Sequence, residues 1–462
     1  MPGAWPPSTP EPLASVSVEP LLTRDYDADP ALVHDRLRAK YGPVAPVDLL
    51  GVPVWLVLGY AEVLRVMKNE GDIWSKRLDN WRARAEGALP PDWPVLPAFE
   101  LNSVAFQDGM TLHRLRDTWT SALAPFQDRG HPQAQLLEDA IRRYADDLIS
   151  LLAEGESRTG WADLSAQYAR PLPLMVANRL FGFETARGDD VVMDTWRVLD
   201  AGPEAAAASQ RLFAAMMELS SAKMSRPGND LPSYMLAANS DFTVEGLSRE
   251  LLMLPGVVGD MTGGLICNTI LEVMTNPEVR SGLSAGTIEE TVNRVALANP
   301  PMANLTFRFP TADVRLGRFA ISAGDPVMLS VAGAHSDPLF GSAIDREAIR
   351  STRAHLAWGA GPHACLARLL ATRITTIAVE RLFDRLDRLR LALPADQLPW
   401  RSSPFMRALR SLPVDYELAQ APANTEPPVA ADAVTVEAEP PRSALWRFLR
   451  GLRGSRKWSP LG

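Results

Sequence analysis

The stretch HLAWGAGPHACLARLLA, residues 355–371, decides how the rest of the chain is read. Gly359 and Gly361 precede Cys365 and permit backbone shapes and close approaches that a Cβ forbids. After the cysteine, Leu366, Leu370, Ile374, Ile377 and Leu382 recur at helical spacing. A helix with one buried face is therefore expected to begin just after Cys365 and run through LLATRITTIAVERLFDRLDRL. A sulfur at or near a helix N-terminus feels the positive dipole end and free N–H groups, which favour thiolate over thiol. Thiolate is the form that ligates iron. Trp358 offers a flat ring to pack beside the sulfur and exclude water.

The other cysteine, Cys267, sits in the apolar run LICNTILEVM and reads as an inert buried thiol. Two cysteines make no disulfide framework and suit a reducing cytoplasm. The chain has 462 residues, 46% hydrophobic and 22% charged, the composition of an ordinary globular protein. Its net charge of -8 argues against nucleic-acid binding, which favours a basic domain. No run reaches the roughly 18 uninterrupted apolar residues of a membrane span. The start, MPGAWPPSTPEPLASVSVEP, lacks the basic and apolar regions of a secretory signal. A cytoplasmic location is expected.

Working outward, ALVHDRLRAKYG from Ala31 predicts an amphipathic helix, and VAPVDLLG with PVWLVLG a hairpin broken at Gly51 and Pro53. AEVLRVMKN resumes helical spacing. Helical patterns dominate from about 110 to 295, as in LLEDAIRRYADDLISLLAEG and RLFAAMMELSSAKM. A second β region follows in LTFRF, DVRLGRFAI and PVMLSVAGA, with turns at Gly317 and Gly324. The fold class is mainly α with small β regions. Residues 250–275, ELLMLPGVVGDMTGGLICNTILEVMT, predict a long buried helix disturbed in its middle by glycines and Pro255. Thr262 can bond its hydroxyl to a preceding carbonyl there. A helix opened beside an acid and a hydroxyl can hold ordered water.

The cysteine loop resembles the haem-binding loop of cytochromes P450, Phe-Gly-x-Gly-x-His-x-Cys-x-Gly, with Trp358 for the Phe and Ala367 for the last Gly. The resemblance implies the cytochrome P450 fold and haem b, with iron on the Cys365 thiolate and His363 bonding a propionate. The family's central helix carries Ala-Gly-x-(Asp/Glu)-Thr-Thr fifteen residues before the Pro of His-Pro-Glu. Counting back from Pro277 places Asp260 on the acid and Thr262 on the second Thr, with Val257-Val258 for Ala-Gly and Met261 for the first Thr. By resemblance Asp260 relays protons and Thr262 orients water. DGMTLHRLRDTWTSALAP is similar to the early helix whose His and Arg contact propionates. Arg116 aligns with the Arg, whereas Leu112 holds the His place and His113 follows one residue late. That offset turns a side chain by about 100°. Arg308 in LTFRF falls on the strand Arg that pairs with a propionate, a task suited to the guanidinium fork.

One motif departs. The family's Glu-x-x-Arg would fall on Arg294 and Leu297 when counted back from Pro300-Pro301. Glu290 and Arg294 are four apart, spaced for a local ion pair worth a few tenths of a kcal/mol. The support behind the cysteine loop is therefore in question. The organisation expected is a disordered Pro-rich N-terminus over 1–24, a haem domain over 25–418, a Pro/Ala/acidic linker over 419–441 and a basic amphipathic tail over 442–462. In the tail, SALWRFLRGLRGSRKW sets Leu445, Leu449 and Leu452 on one helical face among Arg442, Arg447, Arg450, Arg453, Arg456 and Lys457. Residues 442–458 thus read as a docking element for a protein partner or an anionic membrane surface, against a plain disordered tail. The resemblance implies a monooxygenase that inserts one oxygen atom from O2 into a small organic substrate, fed by ferredoxin and its reductase. The alternative is a haem protein acting as a regulatory or accessory subunit.

Overall fold

The computed structural model describes Leu13 and residues 16–96, 99–153, 158–282, 288–342, 354–419 and 444–451. The predicted first helix spans Pro30–Tyr41. Asp29 caps it by accepting from the N–H groups of Ala31 and Leu32 at 3.0 and 3.4 Å. The hairpin pairs Val44–Leu49 with Val52–Val57, turning at Leu50 and Gly51, both at positive φ. Pro53 does not break it. It lies inside the second strand opposite Asp48, so only Gly51 marks the turn. Around this hairpin a six-stranded sheet assembles, in the order Glu19–Pro20, Val44–Leu49, Val52–Val57, Val327–Ser330, Asn304–Pro310, Trp74–Ser75. The first strand corrects the expectation of disorder over 1–24, since Glu19 and Pro20 pair with Val47 and Asp48, and Leu13 is buried. Residues 1–12, 14 and 15 lie outside the described residues.

The α body forms as its periodicity predicted. Helices Gly109–Gln127, Pro132–Leu152, Pro171–Phe181, Thr185–Leu199 and Ala205–Ser225 surround a central helix that runs Val244–Gly256, Val257–Thr262 and Gly263–Thr275. The middle segment is π-helical, the disturbance read from its glycines. By length and composition this helix would suit a membrane span, yet most of it is buried inside the fold. Its apolar residues join those of Pro132–Leu152 and Arg368–Arg385 in the largest core cluster.

Two boundaries differ from expectation. The helix after Cys365 ends at Arg385, and LDRLRL continues as a strand paired with Pro413–Leu418, which pairs in turn with Thr159–Asp163. The pattern of 386–391 serves either structure, and the partner strand decides it. Likewise PVMLSVAGA is strand only to Ser330. Its hydroxyl then accepts from Gly333 N–H and caps the short helix Val331–His335.

Candidate functional site

Cys365 sits three residues ahead of the helix Arg368–Arg385, rather than immediately before it as the sequence suggested. Its backbone N–H donates to Trp358 O at 2.7 Å, and Ala364 N–H to Gly361 O at 3.1 Å, so the loop closes on itself around the sulfur. Both glycines are required. Gly359 and Gly361 have φ of +70° and +66°, and a Cβ on Gly361 would lie 2.6 Å from Lys68 Cα. Half-buried Trp358 packs against the main core. Burial pushes the Cys365 thiol up, opposed by the Ala367 N–H and the charges of Arg116 and Arg368. Despite that dense surround, Cys365 is exposed. The protein groups alone do not tip the sulfur to thiolate. A bound metal cation at that sulfur would.

Beside the loop lies a buried polar cradle. Arg308 is 3% exposed, and burial pushes its guanidinium down to about 10. Lys76, which the sequence did not single out, is also buried, with Nζ 3.0 Å from Thr306 Oγ1. Burial, reinforced by the Arg308 charge, holds its amine well below the usual lysine range. His363 approaches Asp108 at 3.9 Å, and burial pushes its imidazole down to about 3. Asp108 accepts from Ser75 Oγ and from Lys76 N–H at 3.1 Å. Burial raises its carboxyl, but the bonds from its neighbours win and leave it below its ordinary value. Two buried cations thus face one carboxylate, a charge imbalance that further anions would relieve. The two propionates of haem fit that demand, and the exposed thiol fits its iron. Arg116 belongs to the same region, donating to Ala364 O at 2.9 Å beside the ligand position. His113 does not. It is exposed, while Leu112 takes the inward place, as the one-residue offset requires.

On the central helix, Asp260 Oδ1 accepts from Arg401 Nη1 at 2.7 Å and lies 3.6 Å from Arg170 Nη2. Next to the acid is a cavity of about 10 Å³, near the lower limit for a single water. Thr262 is buried at the end of the π segment. Its hydroxyl makes no back-bond among the described residues, unlike Thr269 and Thr275, which bond Leu265 O and Leu271 O. The helical ladder is shifted there, Gly263 N–H donating to Val258 O five residues back. Further along, Glu250 accepts from Val104 N–H at 2.9 Å and Trp119 Nε1–H at 2.7 Å. Burial pushes its carboxyl up to about 7. Aromatic rings gather beside the cradle, with Phe99 4.8 Å from Phe307 and 5.8 Å from Phe405, and Phe106 5.1 Å from Lys76 Nζ.

Behind the cysteine loop, Arg294 approaches Glu272 at 3.9 Å rather than pairing with Glu290, and the Leu297 side chain is buried. The basic tail also departs from expectation. Over Ala444–Gly451 its apolar face is not presented to a membrane or partner; Leu445 and Leu449 are buried in the chain's own core, and Phe448 meets Trp196 of the helix Thr185–Leu199 edge-on at 6.1 Å. Residues 420–443 and 452–462, which hold most of the expected linker and the remaining tail cations, lie outside the described residues. Lys76 and Asp108 escaped the sequence reading because each sits in an ordinary polar run, and Glu250 because it opens an apolar one. Asp108 carried the one usable signal, an N-cap position whose side chain turned out to cap nothing.

No protein-family model matches the chain. Among curated proteins it is similar to cytochrome P450 107B1 of Saccharopolyspora erythraea, 33% identical over 412 residues, covering 84% of this chain and 96% of that one. The vitamin D(3) 25-hydroxylase of Pseudonocardia autotrophica is 30% identical over 405 residues, covering 85% and 95%. The 2-hydroxy-5-methyl-1-naphthoate 7-hydroxylase of Streptomyces carzinostaticus is 28% identical over 394 residues, covering 82% and 93%. Among solved structures, CYP154C4 from a Streptomyces strain superposes with a TM-score of 0.74 at 26% identity, covering 86% of this chain and 98% of that one. CYP154A1 of Streptomyces coelicolor superposes at 0.71 with 28% identity, covering 86% and 98%.

Proposed function

The chain belongs to the cytochrome P450 family of haem monooxygenases, and from that premise we propose that it hydroxylates a small or mid-sized organic molecule with electrons from a ferredoxin and its reductase. The observation that carries this reading is the pairing of an accessible Cys365 sulfur with the cation-rich cradle of Lys76 and Arg308. Bound haem supplies the iron at which dioxygen is activated, one oxygen atom going to substrate and the other to water. The residues divide the remaining work. Cys365 offers the thiolate. Arg308 and Lys76, with neutral His363, offer donors to the propionates, and Arg116 holds the loop carbonyl next to the ligand. Gly359 and Trp358 fix the loop geometry.

The reaction consumes two protons per dioxygen, and the distal groups suited to pass them are Asp260 and Thr262. Asp260 is tied to Arg401 and Arg170, so it delivers a proton by swinging from the arginines towards the helix interior. Thr262 has its hydroxyl free of the i-4 carbonyl, which leaves it available to orient water. Phe99 and Phe106 line a cleft of about 390 Å³ whose other walls carry Arg77, Asp79, Arg84 and Glu100, which suits a substrate with an aromatic body and polar substituents. The naphthoate hydroxylase among the relatives agrees with such a substrate.

The test compares reduced, CO-bound spectra of the wild type and Cys365→Ser, then turnover of Thr262→Ala. The wild type is expected to show the thiolate signature and Cys365→Ser to lose it. With a surrogate ferredoxin system and a panel of aromatic substrates, Thr262→Ala should consume NAD(P)H while product falls by about 100-fold. A thiolate signature with no substrate-dependent turnover in the wild type would instead support an accessory haem subunit.

A further inference from the structure

The missing Glu-x-x-Arg pair leaves a question about what holds the cysteine loop from behind. Counted back from Pro300-Pro301, Leu297 stands at the place of the family's Arg, and what it offers there is a backbone carbonyl. His335 Nδ1 lies 2.8 Å from that Leu297 O, and Leu356 N–H donates to His335 Nε2 at 2.8 Å. A carbonyl only accepts and an amide N–H only donates. The partners therefore assign one ring form: neutral, with hydrogen on Nδ1. Burial agrees, pushing the imidazole down to about 3.

We propose that His335 is the positioning residue that stands in for the Glu-x-x-Arg pair, tying the helix Ile288–Ala298 to the loop that carries Cys365. The connection is continuous. From Leu297 O it passes through the imidazole to Leu356 N–H. Leu356 O accepts from Gly359 N–H at 2.9 Å, and Trp358 O accepts from Cys365 N–H at 2.7 Å. A second tie runs beside it, His355 Nε2 bonding Asn293 Oδ1 at 2.9 Å, with the two imidazoles edge to face at 6.1 Å. Asn293 stands on the same helix as Leu297, so both ties leave one helix and arrive at consecutive residues, His355 and Leu356, at the mouth of the loop.

His335 itself is rigidly placed. It ends the short helix Val331–His335, which grows directly from the buried strand Val327–Ser330. The sheet thereby fixes the ring that fixes the loop. A buried histidine is most often a satisfied core residue and no more. Here its two partners are the residue at the lost Arg position and the residue that enters the loop, and that coincidence gives it a task. A neutral imidazole also does this without burying the charges that an Arg–Glu pair must desolvate.

The experiment uses the full haem-loaded chain with His335→Phe, which keeps the ring volume and removes both bonds, and His335→Gln, whose amide can donate and accept. His34→Phe is the control, a more fully buried histidine on the helix Pro30–Tyr41, outside this network. His335→Phe is expected to lose the thiolate CO signature about tenfold faster than wild type, the scale of one hydrogen bond. Hydrogen exchange of amides 356–366, followed with and without haem, should rise by a similar factor of about ten. His335→Gln should restore most of both, and His34→Phe should change neither. The proposal is overturned if His335→Phe keeps the wild-type persistence and exchange, or if His335→Gln fares no better than His335→Phe.

Discussion

A lysine inside a protein with no ion-pair partner of its own is costly, and among the described residues Lys76 is such a one, its amine bonded to the Thr306 hydroxyl rather than to a carboxylate. Its cost in the haem-free protein and its use in the haem-bound one carry opposite signs. Lys76→Met should raise the stability of haem-free protein by about 1 kcal/mol. It should also speed haem loss about tenfold, the equivalent of about 1.4 kcal/mol. Unfolding of the haem-free chain and haem transfer to an acceptor apoprotein check the two halves. Equal stability, or haem retention as in wild type, would show the cradle to be structural. Cys365 and Arg308 were legible because each belongs to a motif with its own spacing. Lys76 was not, because a lysine in WSKRLDNW reads as a surface charge until the strand Asn304–Pro310 closes over it.

At the scale of elements, the central helix does more than carry Asp260 and Thr262. Through Glu250 it holds the segment at Val104 and the helix Gly109–Gln127 at Trp119. Both bonds point at the carboxylate, but burial favours its acid form, so the contact is sensitive to pH. The Glu250 pKa is raised from 4.5 to about 7, so the folded state holds the proton more tightly than the unfolded state. The associated stability is full below about 4.5 and is lost as pH rises through about 7, on the order of 3 kcal/mol at most. Urea unfolding of wild type and Glu250→Gln at about pH 5 and about pH 8 isolates this contribution as a difference between the two proteins. Wild type should lose ground relative to the variant on going to the higher pH. A difference independent of pH would mean the carboxyl titrates normally. The sequence announced the disturbed middle of this helix through its glycines. It gave no sign that Glu250, ten residues earlier on an apolar helix, would face inward.

For the whole molecule, the tail helix Ala444–Gly451 closes the chain back onto the helix Thr185–Leu199. Trp196, which meets Phe448, also stacks 4.4 Å from the Arg170 guanidinium, and Arg170 reaches Asp260. The tail thus packs against the layer that holds Asp260. Burying Leu445 and Leu449 is worth about 1.5–3 kcal/mol each before the cost of ordering the tail. Truncation after residue 419 should therefore lower stability by about 1–3 kcal/mol and leave the thiolate CO signature intact. Denaturant unfolding checks the first and the reduced CO spectrum the second. Unchanged stability would mean that the helix contributes no net packing energy.

The sequence by itself determined the cysteine loop, the mainly α body and the disturbed middle of the central helix, because those rest on local spacing and backbone freedom. Gly359, Gly361 and Cys365 are close in the chain, and so are Asp260 and Thr262. Only the tertiary structure decided what surrounds them. The partner of the strand 386–391, the inward turn of Lys76, the burial of Glu250 and the docking of Leu445 and Leu449 all depend on segments far apart in sequence. The loop's support shows the division most directly. The sequence reported a missing ion pair, and the fold supplied a histidine from the far end of a sheet strand in its place. A hydrogen-bond network of this kind is fixed by position in space, and single-chain spacing does not encode which buried polar atoms will meet.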